Sequence, residues 1–171
     1  DNNGIIMLNR HHFDLNKIVQ KCVKETSDLA LSKNIKVEII SSLSEDDKLY
    51  ADEIQMRRVI GNMLNNGINY AYENSPVTIK LYKERDSIFF VITNKSNEIS
   101  QSLKEQIFDK YVCGEPLQSS NGIGLGLYFC RKIVEANEGK ILLDASGNDN
   151  SFIVELPILS EDHALINEIV L

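Results

Sequence analysis

Positive charge, cysteine and histidine are all scarce in this chain, and each scarcity closes off a class of function. Eighteen Lys and Arg stand against 25 Asp and Glu, a formal net charge of −7. A surface of that sign does not wrap nucleic acid or an anionic membrane, both of which require a basic face. The three cysteines, Cys22, Cys113 and Cys130, are odd in number and far apart, so they frame neither a disulfide set nor a metal cluster. Cys22 and Cys130 sit in apolar helical patterns and are expected in the core, whereas Cys113 lies in a loop-like stretch. His11, His12 and His163 have no neighbour at metal-ligand spacing. No apolar run approaches the roughly 18 residues of a membrane span, and no cleavable signal pattern is present. The sequence begins DNNGIIMLNR, with Asp and not Met as its first residue, as expected of a piece of a longer protein.

What is present is 171 residues of ordinary globular composition, 43 % hydrophobic and 25 % charged, long enough for one sizeable core. His11 to Leu15 reads as a short extended lead-in. Asp14 then caps a helix through about Lys33, with Leu15, Ile18, Val19, Cys22, Val23, Leu29 and Leu31 as apolar positions. Ile35 to Ile40 alternates as a strand, with Ile35, Val37 and Ile39 set against Lys36, Glu38 and Ile40. Lys48 to Ala51 is a brief strand. Two alternating stretches, 77–83 and 87–93, flank the polar turn Glu84-Arg85-Asp86 and read as a hairpin. A helix follows over 100–110, then a loop of small residues over 113–121. Another helix runs to about Asn137, with Gly139 as its C′ residue. Strands 140–146 and 152–158 flank the turn 147–150. The order helix, strand, helix, hairpin, helix, loop, helix, hairpin predicts an α+β fold. It is a two-layer α/β sandwich with a mixed, mostly antiparallel sheet covered on one face by helices. Residues 1–159 make the domain. The tail 160–171 is expected to form a short amphipathic helix through Leu165, Ile166, Ile169 and Val170, packed on the domain.

The helix from Asp52 to Ala71 carries two stripes. Met56, Val59, Ile60, Met63, Leu64, Gly67 and Ala71 share one apolar face at 100° per residue. Asn62, Asn66 and Asn69 fall within roughly 60° of one another beside that face. Asparagine is a poor helix former, so three in one helix cost stability. Neutral amides so placed can bond a ligand or coordinate a hard cation without adding charge; a plain solvent face is the alternative. Asp52, with Gln55 three residues on, has the pattern of a capping box.

Gly122-Ile-Gly-Leu-Gly-Leu127 opens a helix. Glycines let backbone approach a ligand, and the free N–H groups of a helix start suit phosphate oxygens. The run is not a Walker loop, since no Gly-Lys-Ser/Thr follows, nor a dinucleotide fingerprint, since no parallel strand precedes it.

These two stretches, in this order, resemble the ATP-binding domain of sensor histidine kinases, of the GHKL group with gyrase, Hsp90 and MutL. The N box is matched by Asn62-Met-Leu-Asn-Asn66-Gly-Ile-Asn-Tyr70 and the F box by Ile107-Phe108-Asp109-Lys110-Tyr111. The second glycine box is matched by Gly122 to Leu127. The likeness extends from His12-Phe13-Asp14-Leu15 to Val154-Glu155-Leu156-Pro157, nearly the whole chain. It implies the Bergerat ATP-binding fold, ATP as substrate and Mg²⁺ held by Asn66 across its phosphates. Asn62 would sit beside the phosphates, and Tyr70 against the adenine. Gly122, Gly124 and Gly126 would let the loop fold over the phosphates, with backbone amides of the helix start, Leu127 among them, touching these groups. Residues 112–121 would be the lid. Phosphoryl transfer is chiefly positioning and charge neutralisation, which such groups supply.

Five positions depart from the family pattern. Asn94 stands where an Asp takes the adenine amino group, and it offers a neutral carbonyl acceptor instead. Ser96 and Glu98 replace the glycines of the first glycine box, which implies a different loop shape. Asn69 stands where a Lys or Arg often reaches a phosphate, and Cys113 lies near the place of the lid's usual basic residue. The resemblance implies a protein-histidine kinase whose phosphoacceptor histidine lies on an upstream dimerisation domain absent from this chain. It also implies an indirect response-regulator partner, a dimeric parent, a monomeric isolated domain and a cytoplasmic location for it. His11 and His12 lie at the domain's edge and are not phosphoacceptors. The departures sustain an alternative, a pseudokinase-like signalling module with weak or no nucleotide binding.

Overall fold

The computed structural model describes residues 5–112, 124–161 and 168–170. The elements are β1 (Ile5–Met7), β2 (His11–Phe13), α1 (Leu15–Glu25), α2 (Ser27–Ser32), β3 (Val37–Ser41), β4 (Leu49–Ala51) and α3 (Glu53–Tyr70). They continue with β5 (Val77–Glu84), β6 (Ser87–Lys95), α4 (Gln101–Gln106), α5 (Gly126–Ala136), β7 (Lys140–Ser146), β8 (Asp149–Pro157) and β9 (Glu168–Val170). A five-stranded sheet has the order β3-β5-β6-β8-β7, and two small pairs, β1-β9 and β2-β4, flank it. Only β3 and β5 run parallel in the large sheet; its other pairings are antiparallel. The two-layer, mostly antiparallel α+β sandwich expected from the sequence is the observed architecture.

Register explains where the core lies. On β6, Ile88, Phe90 and Ile92 are buried, and they pair across to Leu156, Val154 and Phe152 of β8, also buried. Val77, Ile79 and Leu81 of β5 bring the same apolar face to the other side of β6. Because side chains alternate along a strand, these rows point one way and meet α3, whose Met56, Val59, Ile60, Met63, Leu64 and Ile68 are buried. Leu15, Ile18, Val19 and Cys22 of α1 and Cys130, Ile133 and Val134 of α5 complete the same core.

Four local expectations are corrected. The helix expected over 14–33 is broken at Thr26, whose Oγ donates to the Cys22 carbonyl at 3.0 Å and competes with the regular ladder. The reciprocal capping box at Asp52 is only half made. The Asp52 carboxylate accepts the Gln55 amide at 3.0 Å, but Gln55 Oε1 accepts from Arg58 Nη1 at 3.3 Å. After α5 the left-handed residue is Glu138, with φ 56°, and not Gly139. A Cβ at Gly139 would meet the Glu155 carbonyl at 2.5 Å, so close strand approach is what requires glycine there. In the tail, residues 168–170 form a strand on β1, where a helix was expected, because pairing satisfies both edges. Leu165 and Ile166 lie outside the described residues. Ile169 is buried in the core, as the expected packing of the tail requires.

Candidate functional site

Both ends of α3 are fixed by groups outside it. At its start, the second Asp52 carboxylate oxygen accepts the Asn9 amide at 2.8 Å. At its end, the Lys33 ammonium donates to the carbonyls of Ile68 at 2.7 Å, Ala71 at 3.3 Å and Asn69. Those carbonyls have no partner within the helix, and a cation is favoured at the negative end of the helix dipole. Burial pulls the Lys33 pKa below the ordinary lysine value, offset in part by Glu73. Held in this way, α3 presents Asn62, Asn66 and Tyr70 at successive four-residue steps, each displaced by about 40° around the axis.

Asn66, Tyr70, Asn94, Gly124, Gly126 and Leu127, drawn from three distant stretches, line one cavity of about 520 Å³. Asn62 faces elsewhere. It lines an adjoining cavity of about 710 Å³ with Arg57, Arg58, Lys110 and Phe129, and Gly126 borders both cavities. A Cβ at Gly126 would lie 4.0 Å from the Asn62 amide carbon, and the Cys130 thiol donates to the Val59 carbonyl of α3 at 3.7 Å. Asn62 thus lies against the start of α5 at the junction of the two spaces. Gly122 and most of the expected lid lie outside the described residues, as does Cys113.

The 520 Å³ cavity is also walled by Ile107 of the F box and by Leu103, Asn150 and Phe152, which the sequence reading did not assign to the site. Phe108 packs edge-on to Phe152 at 6.3 Å, and Asp109 pairs with Arg131 of α5 at 3.1 Å, so the F-box segment ties α4 to both β8 and α5. Asn94 and Asn150 are direct cross-strand partners and are 3 % and 1 % exposed. They extend the helix-facing apolar rows of β6 and β8 by one polar rung. The register is the signal that would have found Asn150: opposite Asn94, it sits two positions before the core residue Phe152.

The segment after β6 explains why Ser96 and Glu98 are tolerated where glycine was expected. Neither has a positive φ, so the backbone there takes a form open to any residue. Asn148 fixes it: the Ser96 amide donates to the Asn148 carbonyl at 2.9 Å, and Asn148 Nδ2 donates to the Ser96 carbonyl at 3.0 Å. Asn69 does not line the cavity.

At the start of α5 the first-turn N–H groups have no side-chain cap among the described residues, whereas α1, α3 and α4 are capped by Asp14, Asp52 and Ser100. Unsatisfied donors at the positive end of a helix suit an anion. Gly124, with φ 70°, precedes them, and a Cβ there would meet backbone atoms of Tyr111 and Val112 at 2.7 and 2.8 Å. The Tyr111 amide donates to the Gly124 carbonyl at 3.0 Å and closes the base of the intervening segment. Among the described residues no group of three or more His, Cys, Asp or Glu side chains is placed to hold a metal ion. A divalent cation would therefore arrive with its own anionic ligand. The half-buried Asn66 amide fits it as a single neutral oxygen donor, the mode in which Mg²⁺ is held with phosphates and water. No helix among the described residues is long and apolar enough to cross a membrane.

Comparison with known proteins gives the family and the fold. Residues 51–160 match the family described as histidine kinase-, DNA gyrase B-, and HSP90-like ATPase. The adaptive-response sensory kinase SasA of Gloeothece citriformis is 30 % identical over 159 residues, 91 % of this chain and 40 % of that protein. This chain thus spans about 40 % of the length of such a relative. The nucleotide-free catalytic domain of the histidine kinase ThkA superposes with a TM-score of 0.78 at 27 % identity, covering 88 % of this chain and 96 % of that one. ThkA in complex with the response regulator protein TrrA gives 0.76 at 26 % identity, over 91 % of this chain and 44 % of that one. The chain belongs to the histidine kinase-, gyrase B- and HSP90-like ATPase family.

Proposed function

We propose that this chain is the ATP-binding catalytic domain of a sensor histidine kinase, delivering the γ-phosphoryl group to a histidine on an upstream dimerisation domain. One observation carries the reading: residues from α3, the end of β6 and the start of α5 converge on a single cavity of about 520 Å³. In it Tyr70 and Asn94 receive the adenine. Asn66 supplies an amide oxygen to Mg²⁺, whose chemistry is to neutralise the phosphates. The uncapped amides of Gly126 and Leu127 bond phosphate oxygens, and Gly124 permits the tight backbone approach beside them. Asn62 lies against the start of α5. Gly122, by the resemblance, extends the same cradle. Binding, orientation and charge stabilisation of this kind are the bulk of phosphoryl-transfer catalysis. The parent would be a dimer working where ATP is, in the cytoplasm, with a response regulator receiving the phosphoryl group from the histidine. The solved complex of ThkA with TrrA supports that partner class.

A second reading, a module with weak nucleotide binding, draws on the neutral Asn94 and on the absence of Lys and Arg from residues 111–123. Calorimetric titration of Mg-ATP into the chain separates the two. Saturable binding below millimolar is expected, weakened at least tenfold by Asn66→Ala. No heat at millimolar nucleotide sinks the kinase reading, and binding indifferent to Asn66→Ala sinks the metal role.

A further inference from the structure

Asn150 is 1 % exposed, lines the cavity and has no role in the catalytic reading above. Its Nδ2 donates to Ser96 Oγ at 2.6 Å, and its Oδ1 has no hydrogen-bond partner among the described residues. A buried amide oxygen without a partner costs roughly 1–3 kcal/mol. Such an atom beside a cavity is satisfied by whatever enters. The partner across the ladder is Asn94, equally buried and lining the same space. Two amides therefore face the ligand where the rest of the inward row is apolar.

The partner of Asn150 gives this pair an unusual freedom. Ser96 Oγ accepts from Asn150 and donates to the Asn97 carbonyl at 3.2 Å. A hydroxyl both donates and accepts, so it can equally donate to Asn150 Oδ1 with the amide turned over. One amide atom of Asn150 is then left for the ligand in either orientation: the oxygen in the first, the nitrogen in the second.

We propose that the Asn94–Asn150 pair reads the base edge of the nucleotide and admits 6-oxopurines as well as adenine. This rests on the nucleotide-site reading above. Across the two amides, one oxygen accepts from the adenine 6-amino group and one nitrogen donates to N1, the ring nitrogen beside it. Turned over, the pair donates to a 6-oxo group and accepts from the N1–H beside it. A carboxylate in the same place accepts only. It would hold the amino group and repel the oxo oxygen, which is how a site discriminates by setting a clash against the wrong ligand. That repulsive element is missing here.

The experiment is titration of Mg-ATP and Mg-ITP, the inosine nucleotide lacking a 2-amino group, into the chain and into Asn94→Asp and Asn150→Ala. In the unsubstituted chain ITP should bind within tenfold of ATP. Asn94→Asp, its folding verified by circular dichroism, should widen the ITP-to-ATP ratio at least tenfold. Asn150→Ala should weaken both nucleotides. ITP binding more than tenfold weaker than ATP in the unsubstituted chain overturns the proposal while leaving the ATP-site reading intact. An unchanged ratio in Asn94→Asp does the same. If neither nucleotide binds the unsubstituted chain, the site reading and this proposal fall together.

Discussion

Single atoms at Gly124 and at two thiols have consequences that can be measured. Gly124 sits at φ 70° with backbone of Tyr111 and Val112 under 3 Å from where a Cβ would be. Gly124→Ala therefore meets both a left-handed penalty of roughly 1–2 kcal/mol and a clash with atoms that cannot rotate away. It should lower thermal stability modestly and nucleotide affinity by tenfold or more, read by scanning calorimetry and titration. Cys22 and Cys130 are buried, and burial pushes their thiols up to about 11 and about 12. With Cys113 replaced by Ser, a thiol reagent at pH 8 should label neither until denaturant is added, since the thiolate is the reactive form. Their pKa values are raised on folding, so the stability they lend is complete below about pH 9, the ordinary thiol value. It is lost as pH rises from there through 11 and 12. A folded-state midpoint that stays level between pH 9 and 11 would contradict this.

At the scale of elements, the two helices that build the site are each secured at the carboxyl end by a cation from the amino-terminal part of the chain. Lys33 serves α3, and Arg10 serves α5 through the Ala136 carbonyl at 2.9 Å and Asn137 Oδ1 at 3.2 Å. Lys33→Met removes the donor from three carbonyls and should cost roughly 1–3 kcal/mol. Because Asn66 and Tyr70 occupy the last turns of α3, the same variant should weaken nucleotide binding, and amide exchange should rise first at 68–71. Element boundaries were legible where the causes are local. Asp52 as the N-cap of α3, Ser75-Pro76 before β5 and the alternation through Ile88 and Phe90 all act within a few residues. Thr26 and Glu138 were not legible, because a hydroxyl bonding backward and a left-handed glutamate are choices that packing makes between near-equal local options.

In the whole molecule, the chain's two ends meet: β1 pairs with β9, and Ile169 enters the core beside them. Ile169→Ala should destabilise by about 2 kcal/mol and lower the melting midpoint by roughly 4–8 °C. ATP affinity should be unchanged, since the site is built by other elements. Tighter or weaker nucleotide binding in that variant would mean that the closure reaches the cavity.

The sequence by itself determined the fold class, the apolar face of α3 and the membership of Asn66, Tyr70, Asn94, Gly124, Gly126 and Leu127 in one site. The fold class and the apolar face follow from periodicity, and the six residues follow from the resemblance to the histidine-kinase ATP-binding motifs. Only the tertiary structure decided that Asn62 lies against the start of α5, that Asn150 stands opposite Asn94 and that the tail closes on the first strand. Each of these depends on register or contact between segments tens of residues apart. A one-residue shift in β8 would turn Asn150 to the opposite face of the sheet, and nothing in its own neighbourhood forbids that shift.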